Sequence, residues 1–159
     1  MKFPLYIILP RAEEIKKILA QYCKRIEIAG SIRREVPECK DIELVCIPDS
    51  YKLEKFFYDS RPRIYFFKNG PSYKQFNFQG YQIDLFIAKP DNWGLIYLIR
   101  TGPAEFGKRV LIEWKKITQG GYSEKGYLRR IDGEKVLTPE EETVFELLNW
   151  PFLKPKFRY

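Results

Sequence analysis

A short apolar run interrupted by two carboxylates constrains this 159-residue chain more than any other feature. The run reads Asp-Ile-Glu-Leu-Val-Cys-Ile, and its β-branched residues and alternation predict a strand over 41–47. Side chains two residues apart on a strand point to one face, so Asp41 and Glu43 lie together, about 6.6 Å apart along the strand. Alternating acids also mark the wet face of an ordinary antiparallel strand, and this pattern alone leaves both interpretations open.

A third carboxylate, Asp84, lies in a second predicted strand over 82–88. If the two strands are neighbours, Asp41, Glu43 and Asp84 form the outline of a metal site. Such a site could hold two divalent cations about 3.5–4 Å apart, on either side of a phosphorus atom that undergoes in-line displacement. Phosphoryl transfer is therefore the predicted chemistry.

A segment suited to phosphate oxygens precedes the acidic pair by ten residues. A predicted strand over 25–29 runs into Gly30-Ser31, and Ile-Arg-Arg then begins a helix or turn. Glycine lets a backbone come close to a phosphate, while amides, the Ser31 hydroxyl and the guanidinium groups of Arg33 and Arg34 are donors for its oxygens. Together with the acids, this segment indicates a nucleotide site.

Hydrophobic periodicity and turn residues divide the chain into lobes over 1–90 and 91–159, with an α/β fold class of the α+β type. The first lobe is predicted to have a helix that starts at Pro10, a short helix over 51–58, and further strands over 64–68 and 74–78. The second lobe is predicted to have helices over 93–100 and 104–117, a hairpin over 127–137, and a last helix to residue 149. Thr138-Pro139-Glu140-Glu141 is interpreted as the capping box of that last helix.

These motifs resemble those of the DNA polymerase beta nucleotidyltransferase superfamily, in which Gly-Ser follows a strand and an Asp-x-Asp/Glu pair comes about ten residues later. The matching segments here are 29–34 and 41–44. Segments 82–86 and 99–106, followed by a basic helix, resemble the palm and thumb of family X DNA polymerases. The resemblance covers residues 26–150 and implies a nucleotidyltransferase-type palm sheet with flanking helices, then a small mixed helical and β-hairpin thumb lobe with a basic C-terminal tail.

The resemblance implies a template-directed DNA polymerase of the gap-filling or repair type, which adds nucleotides to a primer 3′-hydroxyl. Asp41, Glu43 and Asp84 would be the catalytic ligands of two Mg²⁺ ions, for which Mn²⁺ could substitute. The implied partners are primer/template or gapped DNA and deoxynucleoside triphosphates. The residues implied to bind the nucleotide are Gly30, Ser31, Arg33, Arg34, Thr101 and Gly102.

Charge distribution predicts a track for a nucleic-acid backbone. The net charge is +7, and between residues 100 and 130 eight basic residues face three acids. A solvated helix face is the other interpretation of such a stripe. The tail adds Lys154, Lys156 and Arg158. The predicted DNA-binding residues are Lys108, Arg109, Lys115, Lys116, Arg129 and Arg130.

Composition predicts a cytoplasmic monomer with no membrane partner, because no segment reaches about 18 apolar residues. The three cysteines, Cys23, Cys39 and Cys46, are predicted to be free buried thiols, since their spacing fits no zinc motif and the chain has no histidine. A set of aromatic residues is interpreted as core filling in preference to base stacking. The set comprises Tyr65, Phe66, Phe67, Tyr73, Phe76 and Phe78.

The chain departs from the family pattern at several positions. Gln82 stands where the family has an arginine that partners the carboxylates, and Ile99-Arg100 replaces an aromatic pair. Gly107 and Leu111 replace an asparagine and an arginine of the thumb helix. Two other functions stay open: a nucleotidyltransferase that works without a template or modifies a protein, and a noncatalytic nucleic-acid-binding module.

Overall fold

The computed structural model describes residues 1–61 and 63–159 and divides the chain into two compact units, Met1–Ile87 and Ala88–Tyr159. The sequence placed the boundary after residue 90. Helices account for 39% of the chain and strands for 27%, so the mixed α+β class is confirmed. No helix among the described residues is long and apolar enough to cross a membrane. Cys39 and Cys46 are buried free thiols, and Cys23 is half-buried and also free.

The first unit is built on a five-stranded sheet in the order β2-β4-β7-β6-β5. Strands β4 and β7 are parallel, and the other neighbours in the sheet are antiparallel. Strands β1 and β3 form a separate antiparallel pair. The elements in chain order are β1 (Phe3–Pro4), α1 (Leu5–Ala20), β2 (Cys23–Ile28), α2 (Gly30–Arg33), β3 (Glu38–Cys39), β4 (Ile42–Pro48), α3 (Lys52–Asp59), β5 (Tyr65–Asn69), β6 (Tyr73–Phe78) and β7 (Tyr81–Ile87).

The core of the first unit lies on one face of this sheet. Alternate residues of each strand point to that face, among them Leu44 of β4 and Leu85 of β7, which are paired and fully buried. Helix α1 covers them with a stripe that includes Ile8 and Ile15, and α3 adds Phe57. The helix-covered face is thus apolar, and the intervening residues of the strands point to the opposite face.

The prediction that the first helix starts at Pro10 is wrong, because α1 begins at Leu5 and contains Pro10. The Leu5 N–H donates to the Pro37 carbonyl oxygen at 2.8 Å, and Ile8 is fully buried. Tertiary contacts therefore hold the first turn and offset the hydrogen bond that Pro10 cannot donate.

The second unit packs helices against a small antiparallel sheet in the order β10-β9-β8. Phe106, Trp114 and Phe145 form the centre of its core. Strand β8 was not predicted from the sequence. The elements are α4 (Trp93–Thr101), α5 (Ala104–Ile117), β8 (Tyr122–Glu124), β9 (Tyr127–Arg129), β10 (Lys135–Val136), α6 (Glu141–Leu147) and a 3₁₀ turn at Pro155–Phe157.

The capping-box prediction at Thr138 is also wrong. Helix α6 begins at Glu141 without a side-chain cap. Thr138 instead caps α4: its hydroxyl accepts a hydrogen bond from the Leu95 N–H at 3.2 Å, and its carbonyl accepts one from Gly94 at 2.7 Å. The first amides of a helix lack partners within the helix, and Thr138 satisfies two of them.

The C-terminal tail is held by a buried ion pair. Arg158 is only 3% exposed, and its two terminal nitrogens donate to the Glu141 carboxylate at 2.8 and 3.0 Å. Its Nε donates to the Leu153 carbonyl oxygen at 2.9 Å, and the Phe145 ring lies against the guanidinium group. Arg158 is therefore part of the core of the second unit, whereas the sequence counted it among the unopposed charges of a basic C-terminal tail.

We expect Glu141→Gln to destabilise the second unit by about 3–5 kcal/mol, because it leaves the Arg158 charge buried and unpaired. All three tryptophans belong to this unit, so their fluorescence during urea unfolding reports on it. The control is Lys108→Ala, which removes the exposed pair with Glu105 and should cost less than about 1 kcal/mol. Equal shifts of the two unfolding midpoints would contradict a structural role for the buried pair.

Candidate active site

The register between β4 and β7 brings the predicted carboxylates to one face. Glu43 is directly paired with Asp84, and side chains of paired residues on adjacent strands share a face. Asp41 immediately precedes β4 and lies two residues before Glu43, on the same side. We call this side of the five-stranded sheet, opposite α1 and α3, the acid face.

Asp84 is buried and held by two side chains of the neighbouring strand β6. The Tyr73 hydroxyl donates to Asp84 Oδ1 at 2.5 Å, and the Gln75 amide donates to the same oxygen at 2.9 Å. The Gln75 amide also contacts the Tyr73 hydroxyl oxygen at 3.1 Å. These bonds fix the orientation of the Asp84 carboxylate. Tyr73 and Gln75 were not predicted as site residues, because only the strand register shows that they contact Asp84.

Gln82 connects Asp84 to Asp41. Its amide nitrogen donates to Asp84 Oδ2 at 3.2 Å and to Asp41 Oδ2 at 3.5 Å. Burial raises the pKa of Asp41, and the charge of Asp84 and a hydrogen bond between the two carboxyl groups raise it further. The Gln82 amide thus bridges the two acids as a neutral donor.

Glu43 lies against the Gly30-Ser31 segment. Gly30 has φ +62°, and a Cβ at this position would lie 1.5 Å from Glu43 Oε2, so only glycine fits both the conformation and the space. The pKa of Glu43 is raised to about 7, first by burial and then by the charges of Asp41 and Asp84. A hydrogen bond from the Ser31 backbone amide and the charge of Arg34 act in the opposite direction.

The structure thus brings Gly30, Ser31 and Arg34 into the neighbourhood of the acids. Helix α2 is a single turn, and its buried Ile32 anchors it to the core of the first unit. Arg33 is the last residue of α2 and Arg34 follows it directly, and both side chains are half-buried. Of the two, Arg34 is the residue whose charge acts on Glu43.

The remaining predicted site residues belong to the second unit. Thr101 is fully buried and Gly102 is buried beside it, so the Thr101 side chain has no surface to offer a nucleotide. On α5, the side chains of Lys108, Arg109, Lys115 and Lys116 are exposed, together with those of Glu105, Ile112 and Ile117.

Three predicted DNA-binding residues have contacts within the second unit. Arg129 donates to the carbonyl oxygens of Gly133 at 3.1 Å and Glu124 at 3.3 Å, and it therefore ties the small sheet together. Arg130 lies over the Trp114 ring, 5.8 Å from its centroid. Lys108 is paired with Glu105 at 3.0 Å in an exposed position.

The donor chemistry of the acid face fits a divalent cation such as Mg²⁺ or Mn²⁺, which prefer carboxylate oxygens. Within residues 1–61 and 63–159, no three Asp, Glu, Cys or His side chains are placed so that they could together hold a metal ion. The electrostatics nevertheless favour a cation, because burial and the neighbouring acids raise the pKa values of Asp41 and Glu43. A cluster of this kind gains stability from a bound cation.

No protein-family model matches the chain, and no curated protein matches it.

We expect Glu43→Gln to stabilise the protein at pH 8 by on the order of 1–3 kcal/mol and to have little effect at pH 5. The folded-state pKa of Glu43, about 7, lies above the ordinary value of 4.5, so wild-type stability falls as pH rises between these values. The glutamine variant has no such loss. Thermal unfolding followed by circular dichroism at both pH values measures the difference.

The control is Glu13→Gln, which removes an exposed carboxylate of α1. Added Mg²⁺ should raise the wild-type melting temperature at pH 8 more than that of Glu43→Gln, because ligand binding to the folded state stabilises it. An equal effect of Mg²⁺ on both proteins would contradict Glu43 as a metal ligand.

Proposed function

We propose that this protein is a nucleotidyltransferase that adds nucleotides to a DNA 3′-hydroxyl, in the manner of a minimal family X DNA polymerase with a nucleotidyltransferase-type palm sheet. The observation that carries the proposal is the placement of Asp41, Glu43 and Asp84 on one face of adjacent strands, with Gly30-Ser31 directly against Glu43. Phosphoryl transfer from a nucleoside triphosphate needs donors that position the phosphates and acids that hold metal ions. In this proposal, the Gly30-Ser31 segment and the acidic cluster supply these two parts in contact with each other.

In this proposal, Asp41, Glu43 and Asp84 would hold two Mg²⁺ or Mn²⁺ ions. When bound, these ions would supply Lewis-acid activation of the primer hydroxyl and neutralisation of the triphosphate charge. The protein contributes the orientation of the ligands: Tyr73 and Gln75 hold one oxygen of Asp84, and Gln82 contacts the other. Positioned ligands of this kind need no rearrangement during the reaction.

The triphosphate would be bound by the segment that contacts Glu43. The Ser31 hydroxyl and the guanidinium groups of Arg33 and Arg34 are donors for phosphate oxygens. The absence of a Cβ at Gly30 leaves room for the Glu43 carboxylate and so places that acid directly beside these donors. Phosphoryl transfer depends on positioning and charge stabilisation more than on a side-chain nucleophile. A site without histidine is consistent with this chemistry.

The exposed cations of α5 support DNA as the partner. Lys108, Arg109, Lys115 and Lys116 line a helix of a protein with net charge +7, and such a surface attracts the phosphate backbone of DNA. A noncatalytic binding module is disfavoured, because it would carry the cost of crowded carboxylates without a use for them.

We expect Asp41→Asn and Asp84→Asn each to lower nucleotide addition by at least about 100-fold, because each removes a charged ligand while keeping the side-chain volume. The assay is primer extension on gapped, recessed and single-stranded DNA, with each deoxynucleoside triphosphate offered singly. Glu13→Gln is the control for an acid outside the site. Template-dependent choice of nucleotide would support a polymerase, and indiscriminate addition would support a template-independent enzyme.

Full extension by both aspartate variants would contradict the site. Their circular dichroism spectra should match that of the wild type, so that lost activity is not lost structure.

We expect Arg34→Ala to raise the apparent KM for the nucleotide by about 10-fold or more and to change DNA affinity by less than about 2-fold, because only the incoming nucleotide carries a triphosphate. Arg11→Ala on α1 is the matched control, since Arg11 is exposed and paired with Glu14. Loss of DNA affinity with an unchanged nucleotide dependence would assign Arg34 to the DNA track instead.

A further inference from the structure

We propose that the outer edge of the acid face is a platform for single-stranded nucleic acid, formed by Tyr65, Phe67 and Lys68 of β5. This inference rests on the proposed function, because it assigns the route of an unpaired strand at the same face. It concerns a surface that neither the acids nor the predicted DNA track on α5 includes.

The strand register places the platform on the acid face. Gln75 of β6 is paired with Asp84 on one side and with Lys68 of β5 on the other, so all three side chains share a face. Tyr65 is paired with Asn77, two residues after Gln75, and therefore points the same way. Lys68 confirms this orientation, because its ammonium group lies 5.6 Å from the centroid of the Tyr73 ring.

Phe67 lies two residues after Tyr65 on the strand and shares its face, and the β-bulge between Phe66 and Lys68 lets Lys68 share that face as well. The two ring centroids are 5.2 Å apart at an interplanar angle of 77°. Phe66 points to the helix-covered face, where it contacts Phe57 and Phe76. The aromatic residues of β5 thus divide between the core and the acid face.

Tyr65 and Phe67 are exposed, at 67% and 55% of their surface. The prediction that these two rings fill the core is therefore wrong, whereas it is confirmed for the fully buried Phe76. Two large rings in contact with each other and open to solvent form an apolar patch, and such patches mark binding sites. Aromatic rings stack well on other planar groups. Nucleobases are planar groups that are joined to phosphates in a nucleic-acid strand, so they fit a surface of rings with a cation beside them.

The charge beside the two rings is that of Lys68, which is exposed and shares their face. Between Asp59 and Asp84 the sequence has no acid. The other bases of this segment belong elsewhere: Arg61 and Arg63 line hollows against α3, on the opposite side of the sheet, and Lys74 is buried and paired with Glu54 at 2.9 Å. Aromatic rings next to cations are the combination that binds single strands, since bases stack on the rings and phosphates meet the cations.

Other occupants fit the surface less well. The bases of a duplex are stacked on each other, and their faces cannot reach the two rings. A protein strand that extends the sheet needs a regular edge, and the bulge in β5 interrupts the edge ladder at the platform. The surface therefore matches an unpaired nucleic-acid strand better than a duplex or a peptide.

The platform is close enough to the acids for one strand to contact both. Strand β5 is two positions from β7 in the sheet, which corresponds to about 10 Å between the strands. An unpaired strand that leaves the acids along this face therefore reaches the two rings within a few nucleotides. The platform would hold the template or primer strand where it is not yet paired.

The test is the affinity of the full chain for a fluorescein-labelled oligothymidine of about 16 nucleotides, measured by anisotropy without metal or nucleotide. The double variant Tyr65→Ala/Phe67→Ala is compared with Tyr51→Ala/Tyr58→Ala, which removes two similarly exposed rings beside Lys55 and Arg61, one just before α3 and one within it. Helix α3 covers the opposite face, so the second pair controls for the loss of any two exposed aromatic residues.

We expect the Tyr65/Phe67 variant to bind about 10-fold or more weakly and the α3 variant to bind within about 2-fold of wild type. Lys68→Ala should reduce the slope of log affinity against log salt by about 0.7, the value for one phosphate contact on a single strand. Equal losses in the two double variants, an unchanged affinity of the Tyr65/Phe67 variant, or a wild-type chain that does not bind the oligonucleotide would each overturn the platform.

Primer extension by the wild type separates this inference from the proposed function, because oligonucleotide binding without metal or nucleotide does not depend on catalysis. If primer extension fails in the wild type while the Tyr65/Phe67 variant still loses affinity, the proposed function is wrong and the platform stands. If extension succeeds and that variant keeps its affinity, the platform is wrong and the proposed function stands.

Discussion

The parallel pairing of β4 with β7 is the constraint on which the candidate site depends. It places Glu43 opposite Asp84 because Ile42 and Ile83, their neighbours in the strands, must both face the helix-covered core. A shift by one residue would turn these apolar side chains to the solvent and the acids into the core. The hydrophobic effect thus fixes the register, and the register forces three like charges together. The free energy gained by burying the apolar face therefore offsets the electrostatic repulsion among the acids on the other face.

That repulsion is distributed unequally among the three carboxylates. Asp84 has the most support, because Tyr73, Gln75 and Gln82 all donate to it. Glu43 has the backbone amide of Ser31 and the charge of Arg34, yet its pKa remains raised to about 7. Gly30 makes this placement possible, since any side chain there would displace the Glu43 carboxylate. A cluster with one well-held acid and two less well-held ones suits cation binding, in which the first ligand is preorganised and the others gain most from added positive charge.

The sequence could predict that Asp41 and Glu43 share one face of a strand, and it could predict most of the helices and strands, because these features depend on local patterns. The alternation of apolar residues located the strands, and the Ala104–Ile117 helix was predicted with its observed bounds. The errors arise where distant residues decide. Pro10 lies inside a helix because Pro37 anchors the first turn, Thr138 caps α4 instead of the helix beside it, and Arg158 is buried because Glu141 lies within reach. Likewise, alternation could show that Tyr65 and Phe66 point to opposite faces, but only the position of β5 at the sheet edge shows which ring is exposed.

The edge position of β5 also explains why exposed aromatic residues are tolerated there. An edge strand with apolar side chains is prone to pair with another chain, and the bulge at Phe66–Lys68 together with the Lys68 charge opposes such pairing. The presence of two exposed rings at an edge that is protected against strand pairing therefore favours a binding role for them. The chemistry of the side chains on the acid face changes from strand to strand. Carboxylates lie at β4 and β7, the amides of Gln75 and Asn77 lie on β6, and two rings and a cation lie on β5. This order matches a nucleic-acid strand whose reacting end needs metal ligands and whose unpaired part needs stacking and positive charge.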